Sequence, residues 1–175
     1  GGGGPGSGAV GCKDILAPFL PKYHAVKSEK GYAFENPAQT IGSVKEFYGN
    51  FLVVVRALSY ILVLGNEGIP EAAENAVLNA NYMRVKLQDT FDIAFNNICM
   101  HEFVMSMTRL KKLNGVSALD FAKGLLDHGV HPPTMYFPLI VDEALMVEPT
   151  ETESKETLDN VVDIFKEIYK NSVEN

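Results

Sequence analysis

Apolar positions change their spacing several times along this chain, and each spacing predicts a different element. Val44 to Leu64 is strongly apolar and predicts a buried helix, with Gly65 where a C-terminal cap belongs. A second helix is expected from about Pro70 to Asp89. Proline suits a first helical turn, and Val77, Ala80, Asn81, Arg84 and Lys86 separate apolar from polar positions at helical spacing. The period then shortens. Ile98, Met100, Phe103, Val104, Met105 and Met107 predict a strand over Asn97 to Thr108. Ser117 followed by Asp120 resembles a capping box, opening a helix to about His128 that Gly129 ends. Thr134 to Phe137 and Ala144 to Val147 read as two strands around a turn at Pro138 to Glu143. Thr152 to Asn171 closes the chain as an amphipathic helix with a buried stripe of Leu158, Val161, Val162, Phe165 and Ile168.

The N-terminal third is less regular. Gly1 to Gly11 is too rich in glycine for any regular element. It is a flexible linker or an ordered loop of close backbone approach. Lys13 to Leu20 reads as a short strand or turn ended by Pro18 and Pro21, and Lys22 to Thr40 as an exposed, irregular connection. The second half, strand–helix–strand–strand–helix, suits a small α/β sandwich with helices on one sheet face. A boundary is expected near residues 90–97.

Composition narrows the function classes. Of 175 residues, 46% are hydrophobic and 21% charged, enough apolar material for a real core. A formal net charge of −7 argues against nucleic acid as a partner. The basic cluster Arg109, Lys111 and Lys112 reads as a solvated loop. Cys12 and Cys99 lie too far apart in sequence for a disulfide framework or a metal-ligand spacing, so no metal is expected and a reducing compartment is the simplest home. No membrane span or signal peptide is expected either; the best apolar window, Phe51 to Leu64, is short and contains Arg56. The chain opens on glycine rather than methionine, which suggests a polypeptide that continues upstream.

Several residues invite chemical readings. Glycine backbones in the run Gly1 to Gly8 can offer N–H donors to a phosphate, but no Gly-Lys-Ser/Thr follows, so this is not a P-loop. His101 and Glu102, adjacent on a predicted strand, point to opposite faces. His131-Pro132-Pro133-Thr134 is a stiff approach to a strand, either a structural turn or the mouth of a site. Arg56 within an apolar helix needs an anionic partner, internal or external. The acidic stretch Glu148 to Ser154 suits the start of the last helix. No serine–histidine–aspartate order or other nucleophile pair stands out.

Taken together, several ordered stretches resemble one family. Gly1 to Gly8 followed by Gly11-Cys12-Lys13 is similar to its glycine-rich run, and Leu16 to Pro21 to the Leu-Ala-Pro-Phe-Leu-Pro that follows. Phe47 to Phe51 with Val55-Arg56-Ala57, Glu74 to Tyr82, Met100 to Val104, His131 to Pro138 and Ala144 to Lys155 complete the likeness. The family is the P-protein of the glycine cleavage system, glycine dehydrogenase (decarboxylating), and the resemblance is to the second subunit of its two-subunit form. Ala9, Cys12, Leu52, Leu58 and Pro132 depart from its usual residues as loop or core exchanges.

The resemblance implies an α/β fold: the C-terminal portion of an aspartate-aminotransferase-like (fold type I) pyridoxal-phosphate enzyme, with a small α/β sandwich domain. Residues 1–95 would be the end of the large, cofactor-binding domain and its connecting helices, and residues 96–175 the small domain. It implies pyridoxal 5′-phosphate as cofactor, with the lysine that binds it upstream of this chain, so that no catalytic residue is assigned here. Gly1, Gly2, Gly3, Gly4 and Gly6 would approach the cofactor. His131, Thr134 and Arg56 would lie at the substrate-site mouth. The implied reaction is decarboxylation of glycine with transfer of the aminomethyl group to the lipoyl arm of the H-protein, in a hetero-oligomer with subunit 1, in the cytoplasm. The chain alone would be inactive. Another fold type I enzyme, or a non-catalytic partner-binding module, is the alternative.

Overall fold

A computed structural model of the chain describes residues 4–174. Its backbone contacts form two compact units, Gly1–Gly65 and Asn66–Asn175.

In the first unit, Asp14–Phe19 is a 3-10 helix, so of the two readings of this segment the turn holds and the strand does not. Pro18 and Pro21 cannot donate to a ladder, and local bonds such as Leu16 N–H to the Lys13 carbonyl (2.9 Å) take over. The segment expected to be irregular contains an antiparallel hairpin, β1 (His24–Ser28) and β2 (Gly31–Glu35), with His24 opposite Glu35 and Ser28 opposite Gly31. Gly31 turns the chain at φ 114°, a region that favours glycine. The hairpin escaped the hydropathy pattern because neither strand buries a continuous apolar face. Tyr23, Phe34, Phe47 and Tyr48 pack ring against ring beside it.

Helix α1 (Phe51–Leu87) starts seven residues later than the apolar run suggests. Positive φ at Gly42, Phe47 and Gly49 keeps residues 42–49 out of a helix. Gly65 (φ 66°, ψ −166°) separates residues 51–64 from residues 66–87, at the position expected for a cap. Residues 51–64 were expected to be buried, yet most of their apolar side chains are exposed, because a hairpin and one 3-10 helix are too small to cover them. By length and composition α1 could cross a membrane.

The second unit is a four-stranded antiparallel sheet with helices packed on one face. Its strands are β3 (Asp92–Ile93), β4 (Phe103–Ser106), β5 (Thr134–Met135) and β6 (Ala144–Val147), in the order β3-β4-β6-β5. Phe103 lies opposite Val147 and Met105 opposite Leu145. These four residues share one face, since alternate strand residues point the same way. Onto them pack residues 66–87 of α1, α2 (Thr108–Asn114), α3 (Ala118–Asp127) and α4 (Lys155–Glu174). Met83, Leu87, Phe121, Leu125, Leu158 and Phe165 fill the core. Burying each such side chain contributes about 1.5–3 kcal/mol.

Three expectations change here. The strand predicted from Asn97 is only four residues long, because the main chain at Cys99 bonds to Asn81 and not to a neighbouring strand. The basic cluster is not a loop but lies on α2, with Arg109 donating to the Thr90 carbonyl at 3.0 Å and Lys111 paired with Glu143. The strand expected to reach Phe137 ends at Met135, where Tyr136 turns the backbone to φ 57°. By contrast, the capping box is present: Asp120 N–H donates to Ser117 Oγ at 3.2 Å, and Ser117 N–H to Asp120 Oδ2 at 3.0 Å. The predicted stripe on α4 buries Leu158, Val162, Phe165 and Ile168.

Candidate functional site

A cleft of about 560 Å³ opens in the second unit, walled by His128, His131, Thr134, Glu148, Glu153 and Thr157 among others. Four pieces of chain build it. The segment after α3 carries His128 to Pro133, β5 carries Thr134, the end of β6 leads to Glu148, and the start of α4 supplies Thr157. Pro132 and Pro133 hold the first segment extended without exposing unpaired N–H groups. Asn79 Nδ2, from α1, donates to the Thr150 carbonyl at 2.9 Å and tethers the 148–153 rim. His128 Nδ1 lies 2.8 Å from the Gly124 carbonyl, which orients its ring.

Sequence-predicted site residues fall in different places. His131 and Thr134 are both exposed and line this one cleft. Arg56 belongs to the first unit and is exposed, so the expected burial beside an anion is not found. Gly1, Gly2 and Gly3 lie outside the described residues, while Gly4 and Gly6 are exposed. The Gly6 carbonyl accepts a hydrogen bond from Asn50 Nδ2.

His101 and Glu102 do not sit on the strand; both precede β4. The His101 Nε2 atom is 4.0 Å from the Glu102 carboxylate and 3.8 Å from that of Glu148. The pairing of Phe103 with Val147 brings residues 101–102 beside residue 148, just past the strand ends. Glu148 was therefore missed as a site residue. The signal lay in strand register, which hydropathy alone does not reveal. At the start of α4, Ser154 Oγ accepts the Thr157 N–H at 3.1 Å. Glu148 and Glu153 lie on the cleft wall.

Elsewhere the perturbed groups are structural. Burial pushes the Glu143 carboxyl up, but the hydrogen bonds from Lys111 and from the Ala118 N–H together hold it below its ordinary value. The hydrogen bonds between Ser117 and Asp120 lower the Asp120 carboxyl. Both carboxylates serve the N-terminal end of α3. Among the described residues no cluster of three histidine, cysteine, aspartate or glutamate side chains could hold a metal ion.

For an anion, the glycine-rich segment is the better donor set. None of the N–H groups of residues 4–12 donates to another described residue, and added Cβ atoms at Gly6, Gly8 and Gly11 would meet nothing within 4 Å. Unshielded backbone donors without a partner among the described residues suit a phosphate group.

Comparison with known proteins adds a family to this geometry. A family model described as glycine dehydrogenase, C-terminal domain, matches residues 72–175. The probable glycine dehydrogenase (decarboxylating) subunit 2 of Treponema denticola is 56% identical over 176 aligned residues, covering 100% of this chain and 36% of that protein. The proteins of the same description from Oceanobacillus iheyensis and Fervidobacterium nodosum are 57% and 52% identical, covering 100% and 99% of this chain. The chain thus spans about a third of the length of the curated relatives it matches. Among solved structures, glycine decarboxylase (P-protein) of the glycine cleavage system, in inhibitor-bound form, superposes with a TM-score of 0.69 at 16% identity, over 89% of this chain and 37% of that one. The apo cysteine desulfurase from Thermococcus onnurineus reaches 0.61 at 12% identity, over 91% of this chain and 42% of that one. At these identities the structural likenesses establish the shared fold.

Proposed function

This chain belongs to the glycine dehydrogenase family, whose C-terminal domain it carries, and from that premise we propose that it works as part of a subunit 2 that decarboxylates glycine. Likeness across the whole chain to proteins described as that subunit carries the reading. In the complete enzyme, residues 1–95 end the large domain and its connecting helices, and residues 96–175 form the small domain. The helix of residues 66–87 is then a connecting helix, already packed on the small domain's sheet.

Pyridoxal 5′-phosphate, when bound, supplies the electron sink that lets carbon dioxide leave glycine. The lysine that holds it belongs to the part of the subunit preceding this chain. Gly1, Gly2, Gly3, Gly4 and Gly6 would hold its phosphate; of these, Gly4 and Gly6 lie in the segment 4–12, whose N–H groups donate to no other described residue. His131 and Thr134 offer an imidazole and a hydroxyl on one wall, suited to orienting a small polar substrate at the mouth. Arg56, exposed in the first unit, is a separate candidate for binding a carboxylate.

The aminomethyl group passes to the lipoyl arm of the H-protein, and subunit 1 completes a hetero-oligomer in the cytoplasm. In that assembly the exposed apolar face of residues 51–64 is interior surface, not a membrane span.

The test is release of labelled carbon dioxide from carboxyl-labelled glycine by the full-length subunit with subunit 1, lipoylated H-protein and cofactor. Glycine-dependent release that needs the H-protein is the expected result. No release from glycine, or turnover of another amino acid in its place, overturns the reading.

A further inference from the structure

Residues 94–102 form the loop between β3 and β4, and they combine two features that do not belong together on a free surface. The first is apolar exposure: Phe95, Ile98 and Met100 are 54%, 87% and 71% exposed. Surface loops that mean nothing are polar and mobile, but this one is tied down. Asn81 Nδ2 donates to the Cys99 carbonyl at 2.7 Å, and Cys99 N–H donates to Asn81 Oδ1 at 3.0 Å. Ala94 N–H donates to the Val104 carbonyl at 2.9 Å. The backbone is therefore held while the large apolar side chains face outward.

The second feature lies beneath the loop. Arg84 is 8% exposed, the one buried charged residue among the described residues. Its Nη1 donates to Asn96 Oδ1 at 2.8 Å, while its Nε is buried with no partner. It makes no ion pair with any described residue. Cys99 does not supply the missing negative charge, because burial pushes its thiol up against the pull of Arg84. A buried cation without an anion is strongly destabilising unless something else neutralises it.

We propose that residues 94–102 are a docking surface for the part of the same polypeptide that precedes this chain, seated on Phe95, Ile98 and Met100 and bringing a carboxylate to Arg84. Two observations favour that occupant. The chain spans 36% of its relatives' length, so the larger part of the subunit is available to cover the loop. A tethered segment needs only a modest intrinsic affinity, because it is held at high effective concentration. The inference rests on the chain being part of a longer subunit, and it stands apart from which amino acid that subunit decarboxylates.

The experiment replaces Ile98 by a photo-crosslinking residue in the full-length subunit. Isotope-labelled and unlabelled copies are mixed and assembled with subunit 1 and H-protein. Adducts are mapped by mass spectrometry. The expected adduct is within one copy, on the preceding part of the chain, within a few residues of an aspartate or glutamate. Arg84→Gln in the same background is expected to lower its yield several-fold. Should that variant fail to fold, the adduct position alone decides. Adducts between copies, on subunit 1, on the H-protein or only within residues 66–174, and equally the absence of any adduct, overturn the proposal. Glycine decarboxylation by the same preparation reports separately on the functional reading.

Discussion

The side-chain amide of Asn81 makes a two-point bridge to the main chain of Cys99, donating at 2.7 Å and accepting at 3.0 Å, as a neighbouring strand would. A third bond, from the same Nδ2 to the Val77 carbonyl at 2.9 Å, anchors the amide to its own helix. Asn81→Ala leaves the Cys99 N–H and carbonyl without these partners and should cost about 2 kcal/mol of stability. Urea unfolding measures that loss, and hydrogen exchange should speed first at Cys99. Unchanged exchange there would mean that the loop is held by other contacts.

Glu143 sets an acid limit on the second unit. Its folded pKa lies below the ordinary 4.5, so its stabilising effect is complete above that value and is lost as pH falls through the depressed folded value. Asp120, held below 3.8 by Ser117, acts in the same direction. Glu143→Gln should cost about 1 kcal/mol at neutral pH, through the weakened bond to the Ala118 N–H and the lost charge opposite Lys111. The variant should also flatten the pH dependence of stability below about pH 4.5. Denaturation midpoints from pH 7 to pH 3 check both statements.

Phe165 packs against Phe91 and Phe121, with ring centroids 6.0 Å and 5.5 Å away. Removing it empties the centre of the only core that joins α4 to the sheet among the described residues. Phe165→Ala should cost about 3–5 kcal/mol, enough to unfold much of a marginally stable domain. Thermal unfolding followed by circular dichroism is the direct measurement.

His131 and Thr134 should matter for turnover in the full-length subunit. His131→Ala is expected to lower kcat/KM for glycine by at least about tenfold, a loss of about 1.4 kcal/mol of transition-state stabilisation. Thr134→Ala should act in the same direction. His24→Ala, on the hairpin of the first unit, serves as the control and should leave turnover unchanged. Equal activity of the His131 variant and the control would remove the cleft from the active site.

Apolar exposure on residues 51–64 makes the isolated chain prone to self-association. Leu62→Lys combined with Val63→Glu should reduce its sedimentation coefficient toward that of a monomer. A chain that is already monomeric at high concentration would contradict this.

Much of the second unit was legible from the residues alone. Ser117 and Asp120 announce a helix start because a capping box is satisfied within four residues. The stripe on α4 is a local periodicity, and Gly65 breaks α1 where a glycine can adopt positive φ. Features written in neighbouring residues are readable without knowing what they will touch. The hairpin β1–β2 was not readable, since it buries no continuous face, and α2 was hidden by its basic surface.

By itself, then, the sequence determined the family, the helix boundaries marked by caps and glycines, the buried stripe and the general α/β architecture. Tertiary structure alone decided that Glu148 approaches His101, that Asn81 replaces a strand at Cys99, and that Arg84 is buried without a counter-charge. It also put His131 and Thr134 in one cleft while leaving Arg56 exposed on a separate unit. Such contacts join residues far apart in the chain. They depend on strand register and helix docking, in which a shift of one residue changes every partner while the hydropathy pattern stays the same.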